Sequence, residues 1–208
     1  MTPEIDDKEV QKLLKKLNAS HEPDYLKVTP EPNAEAKDCF IVVQEKVKKD
    51  GGRMIMGWQI WKGKHLIEAE CHAVWEDKNE ELHDLTPKEF NVDKIIFVED
   101  EKLVYEDKQI DNLRLNTTNN ELVDDLIEVC QAIYRFDNKG VRATLYDLSS
   151  VLSAEQFKHK EYLMMLKEFI NVILARNGNR KSLCPCQSGD KFRECHGKEL
   201  RKRIQKDI

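Results

Sequence analysis

Between Cys184 and Gly197 the chain reads CPCQSGDKFRECHG, and these fourteen residues hold three of its six cysteines and one of its six histidines. The spacing is C-x-C, then eight residues, then C-H. Zinc takes four soft or borderline ligands in a tetrahedron, and three thiolates with one imidazole form one of its usual structural sets. Cys184, Cys186, Cys195 and His196 are therefore expected to hold one Zn2+. Gly189 and Gly197 can relax the backbone where a short loop folds back on a metal. The competing reading is a cluster of free thiols that happen to be close in sequence.

A second set of residues has the types needed for nucleophilic catalysis. Glu70-Cys71-His72-Ala73-Val74-Trp75 reads as a strand, and Leu82-His83-Asp84-Leu85-Thr86-Pro87 as the strand that follows it across a turn. Side by side on a sheet, Asp84 would fix the tautomer of His72 and favour its charged form. Cys39 lies upstream near the start of an expected helix, where a thiol beside a histidine becomes nucleophilic. Cys39, His72 and Asp84 would then be nucleophile, base and orienter. Strand alternation sends Cys71 and His83 to the opposite faces from His72 and Asp84. The plainer reading stands beside this one: Cys39 as a small core residue on an apolar helix face, and His72 with Asp84 as a structural pair.

Both sets carry a resemblance. The C-terminal stretch resembles the SEC-C motif, the zinc-binding tail of the SecA translocase ATPase, through its four ligands with Ser188, Gly189, Lys191 and Phe192. Gln187 departs from the pattern, since the family usually has glycine there. The resemblance covers about the last 25 residues and implies a small zinc-bound hairpin used for docking. No GxxxxGK[ST] phosphate loop occurs, so no translocase ATPase is implied. Residues 33 to 87 resemble the transglutaminase-like branch of the papain-like superfamily, in which a helix-borne Cys precedes a strand with His-Ala and an Asp follows on the next strand. That resemblance implies a thiol hydrolase acting on an amide or peptide. No tryptophan flanks Cys39, as one often does in that family. Asn33 lies six residues before Cys39, where papain-like enzymes carry an oxyanion-hole glutamine.

Composition bounds these readings. The length of 208 residues suits one main domain with a small appendage. With 40% hydrophobic residues there is enough for a core, and 35% charged residues suit a soluble surface. No apolar run approaches a membrane span, so no membrane insertion is expected. The acidic start, Thr2-Pro3-Glu4-Ile5-Asp6-Asp7, has no apolar core of a signal peptide. Three widely spaced cysteines outside the motif, Cys39, Cys71 and Cys130, together with a zinc thiolate site, favour a reducing, cytoplasmic setting. Residues 179–208 hold nine Lys/Arg against four Asp/Glu, a formal +5, which leaves −10 on residues 1–178 of the whole chain's −5. A basic tail on an acidic body points to an acidic partner: a protein or peptide, the ribosome or nucleic acid. The alternative is that Lys198, Arg201, Lys202, Arg203 and Lys206 only solubilise a helix end.

The elements that must position these residues follow from periodicity. Val10, Leu13, Leu14 and Leu17 predict a helix over 5–18. Residues 22–33, with three prolines, read as a loop. A second helix is expected over 34–48, stopped at Asp50-Gly51-Gly52. Strands are expected at 54–61, 66–75, 81–85, 95–98 and 103–105. A helix opened by a Thr118/Glu121 capping box and another opened by Ser153/Gln156 complete the body. The expected fold is α+β: an antiparallel sheet packed on helices, papain-like or transglutaminase-like, with a small C-terminal zinc hairpin. The expected division is a body over 1–178, carrying the thiol site, and the SEC-C-like motif over 179–208.

Overall fold

The computed structural model describes residues 2–89, 91–145 and 147–205, so Lys206 and Asp207, both counted in the tail's charge, lie outside the described residues. The chain divides into two compact units: Met1–Glu106 with Asn112–Leu115, and Asp107–Asp111 with Asn116–Ile208.

In the first unit, α1 (Lys8–Leu17) begins where Asp7 Oδ1 accepts the Glu9 N–H at 2.8 Å, and it ends at Asn18 in the left-handed region, φ 49°. It buries Val10 and Leu13. The stretch expected to be a loop contains a strand, β1 (Asp24–Lys27). Its partner is some seventy residues away, with Asp24 opposite Phe97, so no local pattern announces it. The second helix, α2 (Cys39–Asp50), starts after Asp38 rather than at Ala34, which makes Cys39 its first residue. Gly51 and Gly52 end it with φ of 79° and 80°, a region costly for any other residue type.

β2 (Arg53–Lys62) and β3 (Leu66–Glu76) form the long central hairpin, in register from Arg53 opposite Glu76 to Lys62 opposite Ile67. β4 (Leu82–His83) is shorter than expected, with Asp84 joined by a single bridge. β5 (Lys94–Glu99) pairs with β1 and β2. The strand expected at Leu103–Tyr105 is absent. A turn from Asp100 to Leu103 breaks the run, and the Tyr105 ring stacks on Phe40 with centroids 4.0 Å apart. The sixth strand is instead β6 (Leu113–Asn116), on β3.

The order β1-β5-β2-β3-β4 is antiparallel, and its two ends meet. Val28, just past β1, bridges Asp84, just past β4. Thr29 N–H donates to the Asp84 carbonyl at 2.8 Å and Glu31 N–H to that of Leu85 at 3.0 Å. The sheet is thus nearly barrel-shaped. Leu26, Ile55, Val74, Ile95 and Phe97 fill one face. On the other, α2 packs Cys39 and Val43 against Ala73. Gly57 stands opposite His72, and a Cβ there would come within 2.3 Å of the Val98 carbonyl oxygen and 2.5 Å of the Phe97 ring. Only glycine fits at that register position.

The second unit is helical. α3 (Glu121–Asp137) is capped by Asn120, whose Oδ1 accepts the Leu122 N–H at 3.1 Å. The expected Thr118 cap is displaced, because the Thr118 hydroxyl is drawn to Asn116. α4 (Ala154–Ala175) does carry the expected capping box between Ser153 and Gln156. Leu122, Val123, Leu126 and Val129 of α3 are buried, as are Leu163, Leu166, Ile170 and Ile173 of α4. These apolar stripes hold the unit together. The short α5 (Leu200–Ile204) buries Leu200 and Ile204. Among the described residues, no helix is long and apolar enough to cross a membrane.

Candidate thiol site and candidate metal centre

His72 projects from β3 toward the residues that follow β4. Its Nε2 lies 3.0 Å from Asp84 Oδ1. A carboxylate can only accept, so Nε2 carries the proton and Nδ1 is the nitrogen left for other chemistry. Asp84 Oδ1 also accepts the Thr86 N–H at 3.2 Å. Asp84 itself is held from behind by the backbone bond from Thr29 described above. Cys39, the first residue of α2, packs with Ala73, the neighbour of His72 on β3, and its thiol is close enough to act electrostatically on both His72 and Cys71. His72 and Asp84 are therefore in direct contact, and Cys39 lies near them on α2.

The sequence reading missed a fourth member. Lys88 Nζ lies 2.6 Å from Asp84 Oδ2 and 3.3 Å from His72 Nε2, with its side chain 5% exposed. Its signal was present in the spacing: Lys88 follows Asp84 by four residues across Thr86-Pro87.

The site is almost sealed, with Cys39 5% exposed, His72 2% and Asp84 not at all. Burial disfavours both charges, yet the pair outweighs it. Against desolvation, the Asp84 bond and the neighbouring Cys39 raise the His72 pKa. Against desolvation, His72 and Lys88 hold the Asp84 carboxyl below its usual value. Cys71 lies on the opposite face of β3, and burial pushes its thiol up to about 12. His83 turns to Asp77, at 3.2 Å, and tilts against Trp75. Asn33 is an exposed turn residue with φ 67°. The indoles of Trp58, Trp61 and Trp75 donate to Asp100, Glu70 and the Gly51 carbonyl.

In the second unit, Cys184, Cys186, Cys195 and His196 bring four ligand atoms within 4.8 Å of one another. Cys184 Sγ and Cys195 Sγ each lie 3.2 Å from His196 Nδ1, and Cys186 Sγ lies 3.5 Å from Cys195 Sγ. A tetrahedron with bonds of about 2.3 Å has edges of about 3.8 Å, so the cluster is close to the size a metal of that kind requires. The loop is folded by backbone bonds from Cys184 N–H to the Asp190 carbonyl and from Phe192 N–H to the Ser182 carbonyl, both 2.8 Å.

Gln187, where the family has glycine, takes φ 64°. The left-handed turn is thus kept with a side chain in it, at about 1–2 kcal/mol. Gly197 is fixed for another reason, since a Cβ would come within 2.6 Å of the fully buried Phe192 ring. The Ser188 hydroxyl sits 3.3 Å from Cys186 Sγ and 3.6 Å from Cys195 Sγ, a role the sequence reading did not assign. The His196 ring meets Phe169 edge-on at 5.1 Å.

Part of the tail's positive charge is used at home. Arg180 Nε lies 3.1 Å from the buried Asp125 and Arg180 Nη2 donates to the Gly197 carbonyl. Arg193 pairs with Glu194 and Arg201 with Glu128. Lys181, Lys191, Lys198 and Lys202 are exposed and make no ion pair among the described residues.

A family model for the SEC-C motif matches residues 180–198. No curated protein and no solved structure matches the chain. The motif and the Cys3His cluster together make this segment a site that can bind metal.

The charges of the thiol site give a pH signature. His72 has a raised pKa in the folded state, so its stabilising contribution is full below its usual 6.5 and is lost as pH rises through the higher folded value. Asp84 has a lowered pKa, so its contribution is present above its usual 3.8 and is lost as pH falls through the lower folded value. The stability difference between the wild type and His72→Gln is expected to be larger at about pH 5.5 than at about pH 9. Urea denaturation of both proteins at the two values checks this. An equal or larger difference at the alkaline value would rule out a charged pair.

Proposed function

We propose that the first unit is a thiol hydrolase of papain-like or transglutaminase-like type, acting on an amide or peptide bond. The observation that carries this reading is a buried histidine bound through Nε2 to a buried carboxylate, with Cys39, at a helix N-terminus, close by. His72 takes the Cys39 proton on Nδ1, and the thiolate attacks the carbonyl carbon of the substrate. As the C–N bond breaks, His72 returns the proton to the departing amine. Water or a second amine then cleaves the thioester and restores the thiol. Asp84 keeps the proton of His72 on Nε2 and stabilises the imidazolium.

Iodoacetamide at about pH 6 is expected to alkylate Cys39 in preference to Cys71 and Cys130, as read by peptide mass spectrometry. His72→Ala is expected to abolish that preference. Uniform labelling, or labelling unchanged by the substitution, would remove the enzymatic reading.

In the second unit we propose a structural zinc site at Cys184, Cys186, Cys195 and His196, with the loop acting as a zinc hairpin. Three thiolates and an imidazole suit zinc better than magnesium or calcium, which take oxygen ligands. Elemental analysis of purified protein is expected to find about one zinc per chain. Cys195→Ser is expected to lose the metal and destabilise α5. A metal-free protein with a folded tail would sink this assignment.

A second reading has an observation of its own. The sealed thiol site and the four unpaired lysines support an adaptor in which the Cys–His–Asp set is structural and the tail docks an acidic partner in the cytoplasm. Exchanging Lys181, Lys191, Lys198 and Lys202 for Glu is expected to abolish capture of that partner, whether RNA, ribosome or protein, without changing zinc content. Unchanged capture would exclude docking through this face.

A further inference from the structure

Asp84 has two oxygens to satisfy in a site that water does not reach. Oδ1 accepts from His72 and from the Thr86 N–H, at 3.0 and 3.2 Å. Oδ2 faces Lys88 Nζ at 2.6 Å. Because Nε2 already donates its proton to Asp84, it has no lone pair to offer the ammonium 3.3 Å away. Lys88 is therefore directed to the carboxylate, and it meets His72 only as a neighbouring positive charge.

We infer that Lys88 is a positioning residue of the thiol site: its ammonium neutralises the far oxygen of Asp84 and so weakens the pull of that carboxylate for a solvent proton on His72. The inference rests on the Cys39–His72–Asp84 reading. The charge count carries it. Before transfer, a thiol, a neutral imidazole, a carboxylate and an ammonium sum to zero. After transfer, a thiolate, an imidazolium, the same carboxylate and the same ammonium again sum to zero. The proton moves inside a buried cluster without changing its net charge, which avoids the large cost of burying an unbalanced ion.

Without Lys88 the resting cluster would carry a net −1. The cheapest relief is for His72 to draw a proton from solvent and become imidazolium at once. An imidazole so loaded cannot accept the Cys39 proton. Among the described residues, the leading groups that act on His72 are Asp84, Cys39 and Lys88. Gly57 opposite it on β2 and the Phe97 ring on β5, 6.4 Å away, bring no charge. Cys71 on the same strand is held neutral by burial.

The experiment is a titration of the His72 ring nitrogens by NMR on the full-length protein, in the wild type, Lys88→Gln and Lys88→Arg. Glutamine keeps a donor for Asp84 Oδ2 and removes the charge; arginine keeps the charge. Lys88→Gln is expected to raise the His72 pKa by about one pH unit or more. Lys88→Arg is expected to leave it within about half a unit of the wild type. If glutamine leaves the titration unchanged, or if both variants shift it equally, the inference is overturned. If Lys88→Gln does not fold, Asp84→Asn with Lys88→Gln removes both charges and is expected to fold with a His72 pKa below that of the wild type. That pair failing to fold, or titrating at or above the wild type, overturns it equally. The titration does not depend on Cys39 being a nucleophile. Wild-type alkylation at about pH 6 tests the parent reading separately, so each can fail alone.

Discussion

A carboxylate with no exposure to water must have its charge balanced by partners, and in the first unit that requirement falls on Asp84. It is met by an imidazole, an ammonium and a backbone N–H. Those partners sit on β3 and on the turn beyond β4. The carbonyl of the same residue is tied to Thr29, beyond β1. Moving any of these segments would expose an unpaired charge in an apolar interior. The helix that brings Cys39 rests on Ala73, one residue from His72 on the same strand. The thiol is therefore located by packing, and the histidine by electrostatics.

The second unit solves a similar problem with different chemistry. A loop of fourteen residues has too little apolar surface to fold alone. Phe192 supplies one buried anchor, and Arg180 ties the loop to the α3 carboxylate of Asp125 and to the Gly197 carbonyl. What remains is a cluster of three sulfurs and one nitrogen whose mutual approach is natural around a metal and crowded without one.

Legibility in the sequence tracked how local each signal was. The metal cluster was readable because its four ligands and its turns lie within fourteen residues. The central hairpin was readable from alternation, and the Ser153 cap from its own four residues. The His72–Asp84 pair was readable because the two residues belong to successive segments of one sheet. β1 was not readable, since its pairing depends on β5. Lys88 was missed because a lysine past a proline resembles a solvated loop residue, and only a buried carboxylate four residues earlier gives it a reason to turn inward. The Thr118 cap failed because two good capping residues compete there, and Asn120 is the one placed at the helix start.

The parallel bridge from Val28 to Asp84 has a consequence for how the sheet is made and kept. An open sheet offers its edge strands to neighbouring chains, and that is a route to aggregation. Here the two ends of the strand path lie against each other, so neither is left as a template. The gain comes late in folding. Segment 24–31 must wait for segments 84–85 and 93–97 before it has anything to pair with. Contacts of such long sequence separation slow folding and leave the partners of β1 uncovered for a time. During that interval β5, whose Ile95, Ile96, Phe97 and Val98 are all apolar, has one edge open to other chains.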